Sequence, residues 1–157
     1  MPVYTLADLK KSGHVLWKGF KLDESKMIHR NEGVSLTNSL CYDNEIIPAW
    51  TNNAKILYLC GEDDEVWRTD FANTFIETCP EEKKKNIELI IYPEAGHAIE
   101  PPYTPLFTSM VSKTLGITLA MGGQTEAHAA AQEDAWKRIL HFLHKHLPQK
   151  HHQSSRI

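Results

Sequence analysis

Two short stretches of this chain bring together residue types that move protons. Gly61-Glu62-Asp63-Asp64 offers carboxylates behind one apolar run, and Glu94-Ala95-Gly96-His97 offers an imidazole behind another. In a nucleophile–histidine–aspartate triad, the imidazole takes a proton from the nucleophile and the carboxylate fixes the tautomer of that imidazole. The candidates are Asp64, or its neighbour Asp63, together with His97. Residue type alone does not assign them, because a histidine after a strand is often a hydrogen-bonded loop residue and paired acids often cap or face solvent. Cys41, Cys60 and Cys79 form no C-x-x-C pair, so they read as buried or half-buried thiols in a reducing compartment rather than a disulfide framework or zinc site. His141, His144 and His146, followed by His151 and His152, read as a solvated helix end. His141 and His144 share a helical face that His146 does not, and no Asp or Cys completes a metal site.

The elements expected to position the two stretches follow from hydrophobic periodicity. Lys55-Ile-Leu-Tyr-Leu-Cys60 reads as a buried strand that stops at Gly61. Trp67, Phe71 and Phe75 fall four apart with Ile76 beside them, which predicts a helix from Glu65 to about Cys79, stopped by Pro80. Glu81-Glu82-Lys83-Lys84-Lys85 reads as a solvated turn. Asn86-Ile-Glu-Leu-Ile-Ile-Tyr92 is a second strand, closed by Pro93. Trp136, Ile139, Leu140, Leu143 and Leu147 repeat at helical spacing after a run of alanines, with Thr125 a candidate cap and Pro148 a stop. Strand, helix, strand, helix predicts an α/β protein with a parallel sheet flanked by helices, whose sites lie at the carboxyl ends of strands. Trp67 and Trp136 are expected in the core. Gly122-Gly123 ahead of the last helix is a weak phosphate signal. Residues 1–54 are less legible: a short helix near Leu6 to Lys11, an apolar patch Val15-Leu16-Trp17 and polar loop from Asp23 to Thr37 are the expectation.

Composition narrows the classes. The chain has 157 residues, 41% of them hydrophobic and 24% charged, which fits one folded domain. A formal net charge of −3 gives no basic field, so nucleic acid is not an expected partner. No apolar run approaches the roughly 20 residues of a membrane span, and the amino end lacks a signal-peptide core, so a soluble, intracellular chain is expected.

Beyond these readings, Tyr92-Pro-Glu-Ala-Gly-His97-Ala-Ile-Glu-Pro-Pro-Tyr103, Met121-Gly-Gly-Gln124 and His128-Ala-Ala-Ala-Gln-Glu-Asp-Ala-Trp-Lys137 resemble the C-terminal part of one family. This is the acyl-coenzyme A thioesterase and bile acid-CoA:amino acid N-acyltransferase family of α/β-hydrolases, and the resemblance runs from about Lys55 to Leu147. It implies that His97 is the triad histidine and that Asp64, fourth in Gly61-Glu-Asp-Asp64, is the acid, with Asp63 as second choice because the spacing to His97 is one residue shorter than the family pattern. It also implies an acyl-CoA substrate, no metal or redox cofactor (coenzyme A belongs to the substrate), and hydrolysis to a fatty acid and free CoA. Glu100, Pro101, Pro102 and Tyr103 would either shape the substrate entrance or stiffen the loop. Ser155-Arg156-Ile157 is similar to the peroxisomal address S-K-L with two substitutions, which leaves cytoplasm and peroxisome both open.

One departure from the family pattern matters. No G-x-S-x-G or G-x-C-x-G elbow occurs in the chain, and neither Cys41 nor Cys60 has the setting of one. The expectation is therefore the C-terminal half of a longer enzyme, or a short form beginning at Met1. In that reading residues 1–54 are the connecting region after the missing elbow, residues 55–148 are the C-terminal half of the catalytic domain, and residues 149–157 are a polar tail. An acyl-CoA thioesterase leads; an N-acyltransferase and a catalytically inactive short member are the alternatives. A half-sheet would expose an apolar edge, so poor stability in isolation is also expected.

Overall fold

A computed structural model of the chain describes residues 14–17, 20–41, 47–99 and 101–148. The expected helix near Leu6 to Lys11, Glu100 and the Ser155-Arg156-Ile157 terminus lie outside the described residues. The fold is mixed α/β, and among the described residues it forms three small sheets. The first holds β1 (His14–Trp17), β2 (Phe20–Asp23) and β5 (Leu40–Cys41), all antiparallel. The second runs β3 (Ile28–His29), β4 (Val34–Ser35), β9 (Ile117–Ala120) and β8 (Ser109–Ser112). The third is the parallel pair β6 (Ile56–Gly61) and β7 (Ile87–Tyr92).

The expectation of a parallel sheet flanked by helices is met only in part. Among the described residues, parallel pairing is confined to β6 with β7 and to the single bridge between Val34 and Leu119, and the other pairings are antiparallel. The stretch read as polar loop, Asp23 to Thr37, contains β3 and β4, each two residues long and too short for an alternating pattern. The β8–β9 hairpin carries no strong turn dipeptide. It closes at Gly116, whose φ of +67° needs the left-handed region.

β6 and β7 pair in register from Ile56–Ile87 to Gly61–Tyr92, so their carboxyl ends finish side by side. Both strands are half-buried along most of their length rather than fully buried, because among the described residues neither has a second strand neighbour. Helix α1 (Asp70–Thr78) starts later than the apolar stripe predicted. Residues 65–67 bend around the Asp64 carboxylate, so Trp67 packs partly buried against a core cluster from outside the helix. Phe75 does face inward, its ring 5.0 Å from that of Trp50 and 5.7 Å from that of Tyr58. Pro80 ends this segment, and the charged run forms one helical turn, α2 (Glu81–Lys84), with Glu81 and Glu82 exposed and Lys83 and Lys84 half-buried.

The long helix α3 (Thr125–His146) stops just before Pro148 as expected, but it buries a different face from the one its large residues mark. His128, Ala131, Gln132 and Ala135 are buried, whereas Trp136, Leu140, Leu143 and Leu147 are between 37% and 59% exposed. Small residues let the helix lie close on β6 and β7, and the placement of Trp136 in the core is not met. Two apolar clusters result. Leu22, Val34, Leu36, Val66, Leu119 and Met121 bind the second sheet to the loop after β6. Tyr92, Ala95, Ala131 and Ala135 bind β7 to α3.

Candidate active site

The loops after β6 and β7 meet because the strand ends that launch them are paired at Gly61 and Tyr92. The Glu62 amide continues the ladder to the Tyr92 carbonyl at 2.9 Å, and the Asp63 amide reaches the Ala95 carbonyl at 2.9 Å. Asp64 then turns inward. Its Oδ1 accepts from the backbone amides of Val66 at 2.7 Å and Trp67 at 2.8 Å. Its Oδ2 lies 2.9 Å from Nδ1 of His97. A carboxylate side chain only 9% exposed thus has both oxygens engaged, one by fixed main-chain donors and one by an imidazole. Thr69 closes the loop by donating its hydroxyl to the carbonyls of Gly61 and Glu62.

Of the two candidate acids, then, the structure brings Asp64 to His97, while Asp63 is exposed and lines a separate polar cleft with Arg30 and Glu62. With Asp64 as acceptor, His97 carries its proton on Nδ1 and leaves Nε2 as a free base. Nε2 has no hydrogen-bond partner among the described residues. The ring borders a cleft of about 460 Å³ beside β6, with Tyr58, Cys60, Trp67 and Ile99 among its walls. Burial, and then the charge of Asp64, push the Cys60 thiol up to about 11, so it is a thiol rather than a thiolate at neutral pH. Tyr103 is 93% exposed and does not line this cleft.

The backbone under the pair is packed without intervening side chains. A Cβ placed on Gly61 would overlap the Ala95 and Gly96 carbonyls, one on Gly96 would overlap Gly122, and one on Gly122 would overlap the Asp63 carbonyl. Gly122 and Gly123 also have φ of +71° and +87°, which an L side chain rarely adopts. The two glycines ahead of α3 therefore serve close approach: they wedge the exit of β9 against both loops. The Met121 carbonyl accepts from the His97 amide at 2.8 Å in the same place. Neither this role nor the burial of His128 follows from residue pattern alone; both fall in stretches that carry the family resemblance, and His128, Ala131, Gln132 and Ala135 share helical spacing.

Comparison with known proteins gives this arrangement a context. The family described as BAAT / Acyl-CoA thioester hydrolase C terminal matches residues 10–149, so the chain belongs to that family. Acyl-coenzyme A thioesterase 1 of Rattus norvegicus is 36% identical over 119 residues, 75% of this chain and 28% of the relative. Acyl-coenzyme A thioesterase 1 of Homo sapiens is 40% identical over 102 residues, 64% of this chain and 24% of the relative. The peroxisomal succinyl-coenzyme A thioesterase of Mus musculus is 34% identical over 116 residues, 73% of this chain and 28% of the relative. The chain thus spans about a quarter of the length of these relatives. No helix among the described residues is long and apolar enough to cross a membrane.

Proposed function

We propose that this chain supplies the acid and the base of an acyl-CoA thioester hydrolase, with His97 as the base and Asp64 as the residue that orients it. The observation that carries the reading is the 2.9 Å contact from His97 Nδ1 to an Asp64 carboxylate whose other oxygen is held by two backbone amides. The names of the relatives, all thioesterases of acyl-CoA or succinyl-CoA, supply the substrate class. A serine or cysteine in a nucleophile elbow is required as the third member, and the 157 residues contain no such elbow.

In the proposed cycle the nucleophile attacks the thioester carbonyl carbon while its proton passes to His97 Nε2. The resulting imidazolium is stabilised by Asp64 and returns the proton to the departing CoA sulfur as the C–S bond breaks. Water then gives a proton to Nε2 and attacks the acyl-enzyme, and that proton returns to the nucleophile as the fatty acid leaves. These steps call on no metal or redox cofactor, coenzyme A being part of the substrate. If an amine replaced water in the second half, the same residues would perform N-acyl transfer; the thioesterase names of the relatives favour hydrolysis. In this reading residues 55–148 are the C-terminal half of an α/β-hydrolase catalytic domain, residues 1–54 the segment that connects it to the elbow, and residues 149–157 a tail. Cytoplasm and peroxisome both stay open as the compartment, and a fluorescent fusion with and without Ser155-Arg156-Ile157 separates them.

The test is acyl-CoA turnover by the full-length protein, followed as release of free thiol. His97→Ala is expected to lower kcat by on the order of 10³-fold or more. Turnover of His97→Ala within tenfold of the unmodified protein would remove His97 from the chemistry.

A further inference from the structure

His128 is 6% exposed and stands on the inner face of α3, outside the Asp64–His97 pair. Its Nδ1 accepts from the Gly96 amide at 2.9 Å, and its Nε2 lies 2.7 Å from the Ala98 carbonyl. A backbone amide can only donate, so Nδ1 is unprotonated; a carbonyl can only accept, so Nε2 carries the hydrogen. One neutral imidazole therefore grips the residue before His97 and the residue after it. Between those two points the His97 amide is held by Met121 and the His97 carbonyl by Ile99, so each peptide link of the turn has one polar atom engaged. The two ends of the grip are not equivalent. The Ala98 carbonyl has a second donor in Gln132 Nε2 at 3.3 Å, whereas the Gly96 amide has no other acceptor among the described residues.

We infer that His128 is a positioning residue for His97: its neutral ring ties together the peptide groups flanking His97 and so aims the His97 imidazole at Asp64. The inference rests on the reading of His97 as the base, and it adds a residue remote from the reacting atoms. Held by the Met121 contact, the Gln132 contact to Ala98 and its own turn, but with the Gly96 end released, the His97 ring would swing, and the 2.9 Å approach to Asp64 would be made for a fraction of the time. The Gly96 contact is the decisive one, because only there does removing the ring leave a buried donor without an acceptor.

The test is NMR of the full 157-residue chain labelled with ¹⁵N, which needs no turnover. In the unmodified chain His128 is expected as the Nε2–H tautomer and His97 as the Nδ1–H tautomer with a slowly exchanging ring proton. A His128 protonated on Nδ1 at neutral pH would overturn the inference with no substitution at all. In His128→Ala the His97 ring proton is expected to exchange about tenfold faster or more, while the amides of β6 and β7 keep their protection. His128→Asn places a carbonyl oxygen near the old Nδ1 position and is expected to restore the slow exchange. Should His128→Ala fail to fold, the Asn variant and the unmodified tautomer still decide. Exchange in His128→Ala within twofold of the unmodified chain would refute the positioning role. In turnover-competent full-length protein the same variants should split the kinetics, with kcat down on the order of tenfold to a hundredfold in His128→Ala, KM unchanged, and recovery in His128→Asn. Absence of thioester cleavage by the unmodified full-length protein would count against the hydrolase and leave the NMR result to judge the clamp.

Discussion

The hydroxyl of Tyr92 donates to Oδ2 of Asp134 at 3.0 Å, joining the last residue of β7 to the middle of α3 directly behind the loop that carries His97. Asp134 also accepts from Arg138 one helical turn on, and Arg138 in turn approaches Glu88 at 3.7 Å, so the strand and helix are laced at both ends of their contact. The guanidinium of Arg138 is the main reason that the Asp134 carboxyl sits below its usual range.

This link has a pH signature. Burial first, and then the hydrogen bond to Asp134, push the Tyr92 hydroxyl up to about 12. A phenol whose folded value lies above its unfolded value of about 10 contributes stability that is complete below pH 10 and is lost as pH rises through 12. Tyr92→Phe is expected to cost about 1 kcal/mol at neutral pH and to flatten the alkaline loss of stability. Urea unfolding at intervals from neutral pH to pH 12 checks both; an unchanged alkaline slope would dissociate Tyr92 from it.

The two acids of the loop after β6 should separate sharply. In full-length protein, Asp64→Asn preserves an oxygen for the Val66 and Trp67 amides but removes the charge that fixes the His97 tautomer. Turnover is expected to fall on the order of 10³–10⁴-fold with little loss of stability. Asp63→Asn, on an exposed side chain, is expected to stay within about twofold. Comparable losses in the two variants would contradict the geometry.

Gly122 tests the packing beneath the pair. Gly122→Ala must fit a side chain at φ +71° against the Asp63 carbonyl, which predicts a loss of about 3 kcal/mol or more. Gly116, also at positive φ but with open space around it, should lose only about 1 kcal/mol on the same change. The difference between their denaturant midpoints is the measurement.

Cys60 should be a slow thiol. With its value near 11, the thiolate fraction at neutral pH is about a hundredfold below that of a thiol at the ordinary value of 9.0. Alkylation by iodoacetamide is expected to be correspondingly slow and to accelerate as pH rises toward 11. Asp64→Asn removes the second cause of the shift and should speed the reaction at fixed pH.

Local pattern made β6, β7 and α3 readable in the sequence. Continuous apolar runs ending at Gly61 and Pro93 mark the strands, and Pro80 and Pro148 close the segments around the helices within a residue or two. The encounter of Asp64 with His97 then follows from strand ends that lie side by side. What stayed hidden is made by distant partners. Val34 pairs with Leu119, and the Glu65 carbonyl is held by the Leu36 amide, across stretches no window of the sequence compares. The inner face of α3 departs from the apolar stripe for another reason: its large residues stand out in the sequence, but close approach to the strands selects Ala131 and Ala135 instead. His128 stayed inconspicuous because a buried neutral imidazole has no sequence signature separate from a solvated one.

The glycine contacts bear on how the sequence around the site can drift. At Gly61, Gly96 and Gly122 main chain lies directly against main chain, so the distance between the Asp64 and His97 loops is fixed there by backbone contact. Neighbouring residues are then free to be exchanged for others of different size or polarity, altering the walls of the cleft while the separation of carboxylate and imidazole stays the same. Such a scaffold uncouples the breadth of what can be accommodated from the geometry of proton transfer, and it concentrates intolerance to substitution at a few positions that carry no chemistry of their own.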